Sequence, residues 1–547
     1  MRTKLTSTLV ATAALTLLTG AAGAAEVLVT SNISTSVTWT KNNTYNLQGQ
    51  IYVLPGAQLN IEPGTVIASD NGGSLAVTRG ARINAVGTQA EPIIFTSKAD
   101  YNTWNAANPR GQWRPVCNEW GNLTIMGNAY ISENAVTSNT ATPNANNRAT
   151  MEGLTAAAPG DPNVLYGGGD DEDDSGTLAY CSFRYGGLVL GLNNELNGLS
   201  LGGIGRQTVI NNMEIMYNVD DGIEIWGGTV NLKYFSIWNV GDDSLDIDQG
   251  WRGKGPFGLI VQGYSANAAQ GSGVGDNAIE IDGAEQSDYQ PVTTGVLYNL
   301  TVIGNPGTTN ANGGDHAIAL RDNARMQFRQ SIFMDLGERL LNNDNIDGDG
   351  GAGYGFNGTL SFNATWTTPY NSYSTVNAPA NPAVFYQSQV NGNLNEIKDS
   401  VFFNNLFGTA YSTADSVGVR GKANQNVTAV NSPIASITRA PAVNPSGTLQ
   451  VRRVTSLDPR ATNDAVTSAG TSPNDGFFTP VNYRGAFGPT ENWLCGWTAA
   501  DQYGFNVAPP GGCVIGQACP ADLNGDATVN AADLSDVLAK WGTTDPS

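Results

Sequence analysis

Histidine occurs once in 547 residues and cysteine five times. One imidazole excludes a zinc centre built on histidines, and five thiols cannot staple together a chain this long. Charged residues make up only 14% of the chain, and 27 Lys and Arg stand against 48 Asp and Glu, a formal charge of -21. A field of that sign repels phosphate backbones and anionic headgroups, so nucleic acid is excluded as a natural partner, while cations and neutral sugars fit better. Beyond the N-terminus no run of about 18 apolar residues occurs, so no membrane span is expected. What is abundant is glycine, 66 residues, beside 40% apolar side chains. That combination predicts a turn-rich, all-β chain with enough apolar surface for a large core.

Residues 1–24 carry Arg2 and Lys4, an apolar run from Leu9 to Leu18, and Ala22-Gly23-Ala24. This has the order of a secretory signal peptide, so the mature chain is expected to be secreted or at the cell surface. Cys117, Cys181, Cys495, Cys513 and Cys519 would then meet oxidising conditions, with at most two bridges. Cys513 and Cys519 are close enough in sequence to pair.

Self-similarity decides the fold class. Val53-Leu54-Pro55-Gly56-Ala57-Gln58-Leu59-Asn60 returns 24 residues later as Val77-Thr78-Arg79-Gly80-Ala81-Arg82-Ile83-Asn84. A second series has the form polar, small, aliphatic, any, aliphatic. Its copies start at Asn197, Asp221, Asp243, Asn277 and His316, with steps of 24, 22, 34 and 39. Pieces with period-two alternation, such as Val209–Ile215 and Val230–Ile237, fall between the copies. A unit of about two dozen residues cannot bury its own apolar side chains, but stacked units form a parallel β-helix with rungs about 4.8 Å apart. An antiparallel sandwich would instead place turn pairs every 8 to 12 residues. The glycine excess is expected at rung corners and in inserted loops.

Stacking the second series makes Asn197, Asp221, Asp243, Asn277 and His316 a column of turn residues whose side chains bond the neighbouring rungs. The aliphatic pairs point inward, so the residues beside them should face solvent. One outer column then reads Ser200, Glu224, Asp246, Glu280, Ala319 and the other Gly202, Trp226, Asp248, Asp282, Arg321. Charges about 5 Å apart repel by about 0.8 kcal/mol in water and about 3 kcal/mol at an effective dielectric of 20. Hydration, bound Ca²⁺, or Lys233, Arg252, Lys254 and Arg321 would offset this. Glu224, Asp246, Asp248, Glu280 and Asp282, with Trp226 as a stacking platform, are therefore the candidate cation-assisted carbohydrate-binding face. Asn218-Val219-Asp220-Asp221-Gly222 and Gly241-Asp242-Asp243 also resemble the paired-aspartate strands of polygalacturonase-type glycoside hydrolases. The Gly-His-Gly and Arg-Ile-Lys of those enzymes do not occur. A polysaccharide lyase would instead need Arg252, Lys254 or Arg321 as a base beside Ca²⁺.

Further residues carry a wider resemblance. Ile51-Tyr52-Val53 with Ile61-Glu62-Pro63-Gly64-Thr65-Val66-Ile67, Tyr166-Gly167-Gly168, the block 219–250, Gly476-Phe477-Phe478 and Asn492-Trp493-Leu494 resemble a family of exported bacterial right-handed parallel β-helix surface proteins. The resemblance covers about residues 27–505 and implies the fold and an extracellular location, without an established activity. Residues 519–547 look like one dockerin-type calcium repeat. Asp522, Asn524, Asp526, Asn530 and Asp533 stand at loop positions 1, 3, 5, 9 and 12, with the Thr528 carbonyl at position 7. Leu534, Val537, Leu538 and Trp541 share one face of the helix that follows. Ala527 replaces the usual glycine, and a single repeat stands where a dockerin has two, which weakens the case for a cohesin-like partner.

The expected organisation is a signal peptide (1–24), a parallel β-helix (25–420) with an insertion at about 98–175, and a loop-rich cap (421–506) whose aromatic cluster covers the last rung. A Gly/Pro linker (507–518) and the dockerin-like unit (519–547) follow. The expected function is a non-catalytic stalk or carbohydrate-binding and adhesion module that binds calcium. A calcium-assisted lyase or glycoside hydrolase acting on an acidic polysaccharide is the alternative.

Overall fold

In the computed structural model the two short repeats lie one above the other. Val53 pairs with Val77, Gln58 with Arg82, Leu59 with Ile83 and Asn60 with Asn84, all in parallel register. The structure describes residues 24–513 apart from 134–141, 192–193, 264–274, 285–288, 307–315, 338–339, 344–353, 356–357, 374–377, 406–424, 444–450, 462–465 and 469. Within it, two long sheets of parallel strands wind around one apolar interior, so the fold is an all-β parallel β-helix, as the repeat predicts.

The sheet that carries the second series runs Gln50–Val53, Ser74–Val77, Leu123–Met126, Leu199–Gly202, Ile223–Trp226, Leu245–Asp248, Ile279–Ile281, Ile318–Leu320 and Leu341–Asn343. Its inward column Val77, Ile125, Leu201, Ile225, Ile247, Ile281, Leu320 is in unbroken register. The other sheet supplies Phe95, Phe183, Ile215, Ile237, Ile260, Val302, Phe333 and Phe402 as a second inward column. Stacking like on like lets every rung bury its aliphatic side chains against the next, and burial at about 25 cal/mol per Å² of apolar surface holds the rod together.

Where the chain bends within this second sheet, a single residue with positive φ makes the corner. The column is Tyr180, Asn212, Tyr234, Phe257, Asn299, Gln330, Asp399, with φ between 50 and 63°. Glycine does turn the chain elsewhere, as at Gly56 and Gly80 with φ of 84 and 77°. The corner column nevertheless departs from the expectation of glycine corners. Left-handed backbone costs a non-glycine residue about 1–2 kcal/mol, and stacking offsets it. The rings of Tyr234 and Phe257 lie 4.9 Å apart and 8° from parallel, and the Asn299 amide donates to the Tyr483 and Gly485 carbonyls at 2.9 and 3.2 Å.

The outer side of the same sheet is apolar too. Met216, Trp238, Val261, Ile303 and Met334 are fully buried beneath Leu457, Phe487, Leu494, Ala499 and Phe505. Val427–Thr428 still pairs with Val401–Phe403 as a further rung, whereas the described residues from Val454 onward run back along the flank of the rod, so the aromatic cluster expected over the last rung lies on that flank. Trp493 stacks on Phe487 at 4.8 Å and meets Tyr234, Trp497 meets Tyr180, and Phe478 meets Tyr298. An outward apolar column needs cover along its whole length, and this segment supplies it. The segment ends in a disulfide between Cys495 and Cys513. Cys513 is thus unavailable to Cys519, contrary to the pairing suggested by sequence proximity, while Cys117 and Cys181 are buried and form no disulfide among the described residues.

Candidate functional site: an acidic wall on one sheet

The first outer column forms as read. Ser200 pairs with Glu224, Glu224 with Asp246, Asp246 with Glu280, and Glu280 with Ala319. In the second column Gly202 pairs with Trp226 and Trp226 with Asp248. Asp282 follows its strand, and its N–H donates to the Ile247 carbonyl at 2.7 Å. Parallel pairing without a bulge carries each carboxylate directly beneath the next.

The turn residues form the expected ladder. The N–H of Asp221 donates to Asn197 Oδ1 at 3.2 Å, that of Asp243 to Asp221 Oδ1 at 2.9 Å, and that of Asn277 to Asp243 Oδ1 at 2.5 Å. His316 Nδ1 lies 3.2 Å from Asn277 Oδ1, so the single histidine continues the ladder. Asn197 and Asn277 also turn their amides to the wall, donating to Glu224 and Glu280.

Two expectations for this face change. Trp226 is no stacking platform: it is 6% exposed and packs among Met126, Ile131, Met151, Leu154 and Tyr166. The insertion folds across the outer face of this sheet, and Tyr166, whose ring lies 6.2 Å from Trp226, donates its hydroxyl to Gln249 Oε1 at 2.8 Å. The outer columns are also recessed rather than open to solvent. Ser200, Glu224 and Asp282 are buried, and Asp246, Asp248 and Glu280 are half-buried.

The wall is wider than the sequence reading made it. Carboxylate oxygens lie within 4.8 Å of one another in four groups: Asp220, Asp221 and Asp242; Asp221, Glu224 and Asp246; Asp242, Asp243 and Asp276; and Asp246, Glu280 and Asp282. The doubled acids Asp220-Asp221 and Asp242-Asp243 before successive strands were a visible signal for those four members, while Asp276 stands singly before Asn277. Nothing in the spacing pointed to Glu152, which the insertion brings into hydrogen-bonding reach of Glu224.

Burial sets the electrostatics here, and acid neighbours add to it. Asp220 is pushed up to about 8 by desolvation and by Asp242. Asp242 is pushed up to about 7 by desolvation, Asp276 and Glu280. Asp221, Glu224, Asp243, Asp246 and Asp282 stand well above the usual carboxylate range for the same reasons. Arg321 brings positive charge, ion-paired to Glu280 and, at 3.4 Å, to Asp282. Burial works to lower its pKa, but Asp282 and Glu280 outweigh that and raise it.

The other cations expected near the wall are engaged elsewhere. The buried Arg252 guanidinium meets both Asp171 oxygens at 2.6 and 2.8 Å and lies 4.0 Å from the Phe385 ring centroid. Lys254 pairs with Asp475, and Lys233 donates to the Phe477 carbonyl at 3.1 Å. Lys233 and Lys254 sit on strands Asn231–Trp238 and Lys254–Val261 of the other sheet, so they face the flank segment instead. The calcium-loop residues Asp522, Asn524, Asp526, Thr528, Asn530 and Asp533 lie outside the described residues.

Hard oxygen donors crowded within 4.8 Å suit calcium, which takes six to eight oxygens. Asp246 adds an inner oxygen, Oδ1, that is buried without a hydrogen-bond partner. Comparison with known proteins gives a match over residues 31–378, more than half of the chain, to the family described as pectate-lyase like beta helix domain. No curated protein and no solved structure matches the chain.

Proposed function

The chain belongs to the pectate-lyase-like β-helix family, and from that premise we propose an exported, non-catalytic protein that binds an acidic polysaccharide through calcium held on the acidic wall. The observation that carries this reading is the triad Asp246, Glu280 and Asp282, with oxygens within 4.8 Å of one another. Calcium bound there would add to the single positive charge that Arg321 brings to the triad and form a bridge to carboxylates of the glycan. Asp221 and Glu224, grouped with Asp246, would hold a neighbouring ion. The signal-like N-terminus supports secretion or display at the cell surface. The loop Asp522–Asp533 supports a further calcium, and docking to a cohesin-like partner is its least supported use.

Cleavage of the polysaccharide is the second reading, and the placement of Arg321 beside the triad is what favours it. As a base, Arg321 would have to leave Glu280 and Asp282 and lose a proton that both acids hold on it. The binding reading asks only that calcium displace Arg321 from Glu280 and Asp282, with no proton lost from the guanidinium.

Titration of the mature protein with CaCl₂, followed by retention on an immobilised polyuronate with and without calcium, tests the proposal. Calcium-dependent retention that disappears in the combined variant Asp246→Asn, Glu280→Gln and Asp282→Asn is the expected result. Retention that ignores both calcium and the variant overturns it, and release of unsaturated ends, read by ultraviolet absorbance, reassigns the wall to a lyase. Deleting 519–547 should remove one bound calcium without affecting retention.

A further inference from the structure

A cavity of about 310 Å³ opens on the other sheet, near the N-terminal rungs. Its lining includes Val66 and Ile94, partners in adjacent rungs, with Pro92, but the surface open to a ligand is mostly polar. Trp104 forms one wall, and Lys41, Glu91 and Arg110 carry the charge around it. Two cations to one acid is unusual lining for a chain with 27 basic and 48 acidic residues. Glu62 stands close by, accepting from the Lys41 N–H at 3.3 Å, and moderates that excess without lining the cavity.

Every wall of this cavity is held in place. The Trp104 indole N–H donates to Asp100 Oδ2 at 3.0 Å, and the same oxygen takes the Thr96 hydroxyl at 2.8 Å. Arg110 donates to the Gly496 carbonyl at 2.7 Å and the Ala90 carbonyl at 2.6 Å. Lys41 Nζ lies 2.6 Å from Glu91 Oε1. A ligand entering here would pay little to order the side chains that receive it.

The combination of a fixed indole, a mostly polar lining and a charged rim matches one kind of small molecule. The C–H face of a pyranose packs on Trp104, its hydroxyls reach Glu91, and a carboxylate on the ring meets Lys41 and Arg110. We propose that this cavity is a saccharide subsite for one uronate residue, reached without calcium. It stands on its own lining, and it remains if the acidic wall binds nothing.

The test titrates the mature protein, in EDTA, with a uronic acid trisaccharide and with its methyl ester, the same rings without charge. EDTA silences any contribution from a calcium-loaded wall, so failure here is distinct from failure of calcium-dependent retention. The expected result is binding of the acid form that weakens at least tenfold in Lys41→Ala, on the exposed rim, and in Trp104→Ala. Trp104→Phe, which keeps an aromatic face, should retain most of the binding and guards against a folding defect at that position. No binding in EDTA, equal binding of the methyl ester, or binding unchanged in Lys41→Ala and Trp104→Ala each overturns the proposal.

Discussion

Two regions of this molecule bury carboxylates, and they do it in opposite ways. On the flank, Glu214 is fully buried and accepts from the Ser182 hydroxyl at 2.6 Å and from the Ala499 and Ala500 N–H groups at 2.5 and 3.0 Å. Burial raises its pKa, while the buried Arg184, the hydroxyl and the two N–H groups all pull it back. On the wall, at least nine acids share one face, and their neighbours are largely one another. The first region solves the cost of a buried charge with its own groups. The second leaves it to protons or a cation from outside, so only the second is suited to sensing or using one.

The sharpest way to break this comparison is Glu214→Ala. It would take from the buried Arg184 one of the two acids that act on it, leaving Asp100, and would leave the first N–H groups of Ala499–Gln502 without their acceptor. The change should cost about 3–5 kcal/mol in chemical denaturation. Limited proteolysis of the flank segment should rise in parallel. Cys495→Ser opens the loop between residues 18 apart and should cost about 3 kcal/mol, read the same way in oxidising buffer.

The wall should respond to pH. Asp220 and Asp242 are raised to about 8 and 7 in the folded chain, above the usual carboxylate value of about 4 in the unfolded one. The folded state then binds more protons between those values, so stability falls as pH rises from about 4 and levels off above about 8. Thermal melts without calcium should show that fall, and saturating calcium should remove it. The combined Asn and Gln variant of Asp246, Glu280 and Asp282 should change stability by less than about 1 kcal/mol without calcium, since it relieves repulsion between acids but also removes both ion pairs of Arg321. It should also lose the stabilisation that calcium gives. The smallest effect belongs to Lys41→Ala: that ion pair is half exposed, and removing it should cost no more than about 1 kcal/mol.

Much of this was legible in the repeat. The 24-residue echo of Val53–Asn60 gave both the fold and the register, and the column Ser200, Glu224, Asp246, Glu280, Ala319 pairs rung to rung as read. The Asn and Asp ladder followed from the same spacing, because a turn residue at a fixed step must meet its copy one rung away. Trp226 was misread for a reason of the same kind. Alternation tells which side of a strand a residue takes, and Trp226 does point outward, but it cannot tell what another segment lays on top. Here Ile131 and residues from Ala149 to Tyr166 lie there, and nothing local in those residues announces it.

The cysteines and the corners repeat the lesson. Cys513 pairs with the more distant Cys495 and not with the neighbouring Cys519, since folding the flank segment brings those two Cα atoms to 5.5 Å. Tyr234 and Phe257 take a backbone that local preference assigns to glycine, held by contacts between rungs.

Periodicity alone therefore determined the parallel β-helix, the inward aliphatic positions of one sheet and the alignment of acids along one face. Those depend only on steps along the chain, which stacking converts directly into neighbours. Tertiary structure decided how deeply the acids are buried, which cations reach them, and where a cavity opens beside Trp104. Each of these depends on segments far apart in sequence meeting across the surface of the rod, and no local spacing encodes that encounter.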